Sequence, residues 1–371
     1  MAIEIKEYTP DLIPYVREFN LRLKARGVDI AFPETNVLAW LPKVGDRKIF
    51  REPFLAIENE NIVRGAYILK NQEFYVKGNL CKLGNLQLPL SEGIIDKKYN
   101  MLGMQLLIDA QKREPRLFAL GIGSYEDPLT QILKALGWNL YSIPFYFKIN
   151  HPFRFLKEIR FLRKSPFHQA VLNISAYSGL GWLGIKSVNL LKTSKTSFER
   201  VWYEETNTFS DWCDELWHRS KDHYSLIAVR DAYVLQILYP ENNLRFIRLK
   251  IWEGSNVIGW AVVLDTPMAN HKHFGAMRLG SIIDCLSLPS DAAKVVCSAT
   301  KFLENRGVDL IVSNQSHVSW CTAMEKAGYL RGPSNYIFAT ARKLSELLSP
   351  FEKTKKYLHI NRGDGDGPVH L

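Results

Sequence analysis

The residues best placed for chemistry in this chain cluster in its second half, at what read as strand ends. Cys285, Asn314 and His317 fall there. A thiol beside an imidazole is the pair that nucleophilic catalysis needs, provided the two meet within hydrogen-bond reach. A packed cysteine and a polar loop histidine account for the same residues without chemistry. Asn314, followed by Gln315, offers a carboxamide that could hydrogen-bond a substrate. Further on, RGDGDGP sets Asp364 and Asp366 among glycines whose freedom allows tight turns. Two such carboxylates could hold an ammonium or sugar hydroxyls. A calcium loop of the EF-hand kind needs a third acidic ligand and a distal Glu, which do not follow here. His271 and His273 lack further ligands at metal spacing, so no metal is expected.

These residues must be held by repeated elements. Residues 116–147, RLFALGIGSYEDPLTQILKALGWNLYSIPFYF, match 307–338, GVDLIVSNQSHVSWCTAMEKAGYLRGPSNYIF, without a gap. Each reads as apolar strand, polar turn, amphipathic helix closed by glycine and an aromatic, then a strand ending aromatic-x-Phe. Gly137 falls on Gly328, Trp138 on Tyr329 and Phe147 on Phe338. A second anchor, with Gly65 on Gly259, lies upstream in each half. Two anchors in one order predict two copies of one domain, at 1–150 and 197–345, with a linker at 151–196 and a strand plus Gly/Asp tail at 346–371. In the first copy, strands IEIKEY, FLAIE, NIVRGAYIL and NLQLPLSE and a helix over 101–111 precede the repeated unit. In the second, FERVWYEE, a helix over 209–220, three strands and a helix over 291–305 do so. Mixed strands and helices predict an α/β (α+β) sheet in each copy.

The 371 residues suit two domains of ~150 each, and 46% hydrophobic content is that of a globular chain. Five cysteines with no CxxC pair argue against a disulfide framework and point to a reducing, cytoplasmic setting. IEIKEY at the start leaves no room for a signal peptide. The net charge is +10, and the stretch 151–195 holds eight basic residues against one acid, Glu158. Such a block seeks phosphate on lipid, nucleic acid or an anionic glycan carrier. HPFRFLKEIRFLRK reads as a basic amphipathic helix, and 165–185 carries no Asp, Glu, Lys or Arg. At ~20 residues this stretch could reach across a bilayer, but its serines, Asn173 and glycines suit a membrane interface or a buried interdomain helix pair better. Both readings stand, and the first implies peripheral contact at the inner membrane face.

The strand–strand–strand–helix–strand–helix–strand order, with glycine and an aromatic closing the last helix, resembles the GNAT acyltransferase superfamily. The tandem is similar to bacterial two-domain amino-sugar N-acyltransferases and Fem-type aminoacyltransferases. The resemblance implies a phosphate-binding turn, Arg/Gln-x-x-Gly-x-Gly/Ala, opening the helix after the fourth strand and facing the pyrophosphate of acyl-CoA or acetyl-CoA. In KKYNMLGMQLL, Lys98 takes the basic position, Met101 replaces the first glycine and Gly103 keeps the second. The co-substrate would then lie against Lys98, Tyr99, Asn100, Gly103 and Met104. In the second copy, LSLPSDAAKVV places Pro289 at the basic position and Lys294 at the last glycine, with Asp291 adding negative charge. The first copy is thus expected to hold the donor.

The resemblance also implies a carboxylate base at the end of the fourth strand, which would be Glu92 or Asp284. The superfamily's usual tyrosine acid is replaced by Leu133 and Met324, so that role is absent or falls to another group such as Tyr99 or Tyr125. Asn314, His317, Asp364 and Asp366 would face the acceptor. The implied function is N-acyl transfer from an acyl-thioester to an amine on a sugar or lipid-linked envelope precursor. Aminoacyl transfer from charged tRNA, with the basic linker on RNA, and a degenerate binding protein are the alternatives.

Overall fold

The computed structural model describes residues 3–160 and 198–365, so the uncharged stretch 165–185 and Asp366 lie outside the described residues. Through the first repeat the elements are β1 (Ile3–Glu7), α1 (Ile13–Ala25), β2 (Phe50–Glu58), β3 (Ile62–Val76), β4 (Asn79–Ser91), α2 (Leu102–Arg113), β5 (Leu117–Leu120), α3 (Pro128–Ala135), β6 (Asn139–Ser142), β7 (Phe145–Ile149) and α4 (Pro152–Glu158). There follow β8 (Val201–Thr206), α5 (Asp211–Ser220), β9 (Leu226–Ala228), α6 (Ala232–Leu238), β10 (Ile247–Glu253), β11 (Asn256–Pro267), β12 (Arg278–Ser287), α7 (Ala292–Asn305), β13 (Leu310–Asn314), α8 (Val318–Lys326), β14 (Leu330–Gly332), β15 (Ile337–Thr340), α9 (Arg342–Leu347), α10 (Phe351–Thr354) and β16 (Leu358–His359).

Two compact units result. One holds Met1–Ser142 and Asn335–Thr354; the other holds Ile143–Ser334 and Lys355–Leu371. In unit 1 the strands run β1-β2-β3-β4-β5-β15-β6, and in unit 2 they run β8-β10-β11-β12-β13-β7-β14. The orders correspond one for one. Along each of these orders one parallel pair, β4 with β5 and β12 with β13, sits among antiparallel neighbours, and in unit 2 the short β16 also pairs with β9 in parallel. The units are not the contiguous halves that the repeat suggests. β7 closes the first repeat yet pairs with β13 and β14 in unit 2, while β15 closes the second and lies between β5 and β6 in unit 1. Equivalent strands offer the same ladder of N–H and C=O groups, so either can fill either slot.

Both faces of the unit 1 sheet are covered. Val16, Phe19 and Leu23, at helical spacing on α1, pack with Leu55, Ile57 and Ile68, whereas Leu21 of the same helix is exposed. On the other face Leu102, Leu106 and Leu107 of α2 pack with Tyr67, Leu69 and Leu86. Each side chain buried this way contributes roughly 1.5–3 kcal/mol. Gly65 lets α2 approach, since a Cβ there would come within 3.2 Å of Leu102 and Leu106. At the matching Gly259 a Cβ would strike Val295 of α7. The repeated Gly137 and Gly328 have φ of 76° and 86° and end α3 and α8 in one way. Trp138 N–H donates to Leu133 O and Tyr329 N–H to Met324 O, both at 3.0 Å.

The predicted basic helix begins as α4, whose Phe155 and Leu156 are buried, and ends at Glu158. Among the described residues no helix is long and apolar enough to cross a membrane.

Candidate active site

The pairing of β4 with β5 is short. It covers Gly84–Leu86 against Leu117–Ala119. Beyond it, Leu88 takes φ 48° and the register with β3 slips, Ile68 facing Gln87 while Ala66 faces Leu90. This bulge turns β4 away while β5 stops at Leu120, and Gly121 (φ 76°) leads the chain off. The strands part and leave a wedge. Tyr125 lies exposed in the turn between β5 and α3.

The chain leaves β4 through Glu92 into the turn that starts α2. Asp96 Oδ1 accepts from Lys98 N–H at 2.9 Å. Gly93 is required here, because a Cβ would lie 2.6 Å from Tyr99 O. Helix α2 opens without a side-chain cap, so its first N–H groups face outward. Asn100 and Met101 are exposed, Met104 is half-buried, and a Cβ on Gly103 would meet no atom within 4 Å. The helix N-terminus, Lys98 and this open glycine converge where an anionic group is favoured.

A buried ion cluster supports the turn. Glu92 accepts from Arg22 Nε–H and, at 2.7 Å, from Arg64 Nη1–H. Arg64 also donates to Glu58 at 2.8 Å, and Tyr99 O–H donates to Glu58 at 2.9 Å. Lys98 Nζ stands 3.6 Å from Glu58 and half exposed. Burial pushes the Glu58 carboxyl up, but the Tyr99 hydroxyl, Arg64 and Lys98 outweigh it and hold it below the ordinary value. Glu92, expected as a base, therefore has both oxygens committed to guanidinium groups. Tyr99 is buried and anchors the turn instead of presenting its hydroxyl to a ligand.

Unit 2 has the same bulge in β12, with Asp284 just past it, but here the wedge is filled. Asp284 is fully buried. Its Oδ2 accepts from Arg230 Nε–H and Tyr239 O–H, each at 2.7 Å. Its Oδ1 accepts from Asn361 Nδ2–H at 2.8 Å and Cys285 N–H at 2.9 Å. No lone pair remains to take a proton from an amine, so Asp284 stands at the centre of a closed network and not at an open strand end. Arg230 also donates to Asp364 at 2.6 Å. The C-terminal segment is thus docked: Ser316 O–H donates to Leu358 O, Ile360 N–H donates to Ser316 Oγ, and Asn361 and Asp364 form a capping box. Asp364 binds a guanidinium of its own chain where a ligand ammonium was expected. At the start of α7 the phosphate position is also occupied, Lys294 pairing with Asp291 and Glu253.

The thiol and imidazole do not form a catalytic pair. Cys285 Sγ accepts from Gln315 Nε2–H at 3.5 Å, and burial pushes the thiol well up. His317 caps α8, its Nδ1 accepting from Ser319 N–H at 3.1 Å, while its buried Nε2 has no hydrogen-bond partner among the described residues. Burial, then His359, lowers its pKa to about 3. His359, lowered to about 4 mainly by burial, packs with His317 on the ring of Tyr224, at 4.8 and 4.9 Å between centroids. Asn314 is buried and donates to Pro144 O at 3.4 Å. Among the described residues no three His, Cys, Asp or Glu side chains come together in a way that could hold a metal ion. Sequence reasoning missed Arg22, Arg64, Arg230, Tyr239 and His359; their only signals were isolated charges and rings with no pattern.

No family model and no curated protein matches this sequence. Among solved structures, Saccharomyces cerevisiae N-myristoyltransferase with bound myristoyl-CoA is similar over 91% of this chain and 79% of its own, with a TM-score of 0.53 and 9% identity. The fold is the GNAT fold. A GCN5-related N-acetyltransferase from Anabaena variabilis gives a TM-score of 0.50 at 9% identity, covering 92% of this chain and 73% of its own. A GCN5-related glucosamine N-acetyltransferase region in a fungal multi-domain β-N-acetylglucosaminidase gives 0.52 at 12%, covering 91% and 38%. In unit 1 the start of α2 is uncapped and open beside Gly103, and in unit 2 the end of β12 is closed by Arg230, Tyr239 and Asn361 of the chain itself.

Proposed function

We propose that this chain is an N-acyltransferase whose acyl-CoA donor binds unit 1 and whose acceptor is an amine, with amino sugars or envelope precursors as the acceptor class. The observation that carries the reading is the asymmetry between the turn that opens α2 and the one that opens α7. Lys98, the uncapped N–H groups of α2 and the open Gly103 favour a pyrophosphate in unit 1, whereas Asp291, Glu253 and the docked tail disfavour one in unit 2. N-myristoyltransferase binds a long acyl-CoA and the fungal region acts on glucosamine, which supports a thioester donor and leaves the acyl chain open.

In the reaction the amine nitrogen attacks the thioester carbonyl, the C–S bond breaks, and the nitrogen loses a proton as the thiolate gains one. Tyr125, at the mouth of the wedge, is the group proposed to protonate the thiolate. Glu92 and Asp284 hold the protein together; the ammonium proton leaves to solvent, and solvent returns a proton to Tyr125. Release of free thiol from a panel of acyl-CoAs, with and without amino-sugar acceptors, tests the reading. Acceptor-dependent thiol release is expected, and its absence across the panel, with folded protein, would sink it.

A further inference from the structure

Unit 2 has a second charged place, at the end of its sheet opposite the wedge, where β11 finishes and β12 and β13 begin. Two carboxylates are buried there and the cations they hold are exposed. Asp309 binds His151 Nδ1 at 3.1 Å, Arg154 at 3.6 Å and the Arg278 N–H at 2.8 Å. Asp265 binds the Arg278 guanidinium at 2.6 and 2.7 Å and Arg306 at 2.7 Å. The side chains of Asp309 and Asp265 are 2% and 4% exposed, while Arg154 is 65% exposed and Arg278 and Arg306 about 40%. The acids act as internal anchors, and what the surface presents is cationic. Lys157, Arg160 and Lys272 are exposed at the same end, where Arg160 N–H donates to His273 O. Beside this end a cavity of about 340 Å³ is mixed in charge, lined by Arg245 and Arg306 together with Glu205 and Asp265.

We propose that this end of unit 2 docks on an anionic lipid surface. Fixed guanidinium groups on buried carboxylates suit phosphate, because little side-chain freedom is lost on contact. Lipid is favoured over nucleic acid by what adjoins the patch. Phe153 is 44% exposed beside Arg154, and the chain continues from Arg160 into a sequence with Arg163 and Lys164 before, and Lys186, Lys192 and Lys195 after, the uncharged 165–185. Basic residues flanking an uncharged, partly apolar stretch match headgroups beside an acyl boundary. The inference stands independently of acyl transfer.

The test is co-sedimentation of the full chain with phosphatidylcholine vesicles and with mixed phosphatidylcholine–phosphatidylglycerol vesicles. Wild-type protein should bind only the mixed vesicles, and more weakly as salt rises. Arg154→Gln/Lys157→Gln/Lys272→Gln should bind about 100-fold more weakly, each basic residue near the surface being worth about a factor of five. If this variant melts early, Lys157→Gln/Lys272→Gln, which breaks no ion pair seen among the described residues, should still lose about tenfold or more. Unchanged binding in the folded variants, equal binding to neutral vesicles, or RNA binding without vesicle binding would each overturn the proposal.

Discussion

Arg230 Nε–H donates to Asp284 Oδ2 at 2.7 Å with neither side chain reaching solvent, and the same guanidinium turns its Nη2–H onto Asp364 at 2.6 Å. One cation thus neutralises two carboxylates that are 54 and 134 residues away in sequence, and it ties the C-terminal segment to the bulge of β12. Replacing Arg230 with Met would leave both carboxylates buried and unpaired. Loss of one partner from such a set costs about 3–5 kcal/mol. Denaturant unfolding should show that loss, and limited proteolysis should cut the segment after β16 sooner than in wild type. An Asp284→Asn/Asp364→Asn change made together with Arg230→Met should recover much of it.

The two imidazoles packed on Tyr224 predict acid sensitivity. His317 and His359 titrate in the folded protein at about 3 and about 4, against an ordinary value of 6.5. The unfolded chain therefore binds more protons between pH 6.5 and about 4, and stability falls as pH falls through that window. Each histidine contributes up to ~1.4 kcal/mol per pH unit there. Melting curves from pH 7 to 4 should show the slope, and His359→Asn should lessen it. Equal slopes in both proteins would exclude His359 as a source.

Glu58 gives a second dependence, at lower pH. Its pKa is held below the ordinary value, so the stability it supplies is present above the unfolded carboxylate pKa and is lost as pH falls through the folded one. Tyr99→Phe removes one of the bonds that hold it down and leaves a buried acceptor short of a donor, at a cost of about 1–3 kcal/mol. The variant should melt lower at neutral pH and depend less on pH in acid.

Much of this was legible where the physics is local. Gly137 and Gly328 announce helix ends because only glycine reaches positive φ cheaply, and Gly65 and Gly259 mark helix contacts because a Cβ has no room. The α/β class and most elements followed from such signals. The exchange of β7 and β15 did not, since a strand's hydrogen-bonding pattern does not say which of two equivalent slots it fills. Arg230 was equally silent: an arginine before a short helix reads as solvated until Asp284 and Asp364 arrive from far along the chain. Glu92 and Asp284 read as bases for the same reason. Their positions at strand ends were visible, but the arginines that occupy them were not.

The central claim, that unit 1 alone holds the donor, is tested most directly at Gly103. A Cβ there would have no atom within 4 Å, and replacing a helical glycine gains up to about 1 kcal/mol of helix propensity, so Gly103→Phe should fold and melt no lower than wild type. Calorimetric titration with acyl-CoA should show one site in wild type, a loss of at least tenfold in Gly103→Phe, a loss of ~10–100-fold in Lys98→Ala through the missing charged contact, and no change in Lys294→Ala of unit 2. Wild-type affinity in Gly103→Phe and Lys98→Ala, or a loss in Lys294→Ala alone, would contradict the account.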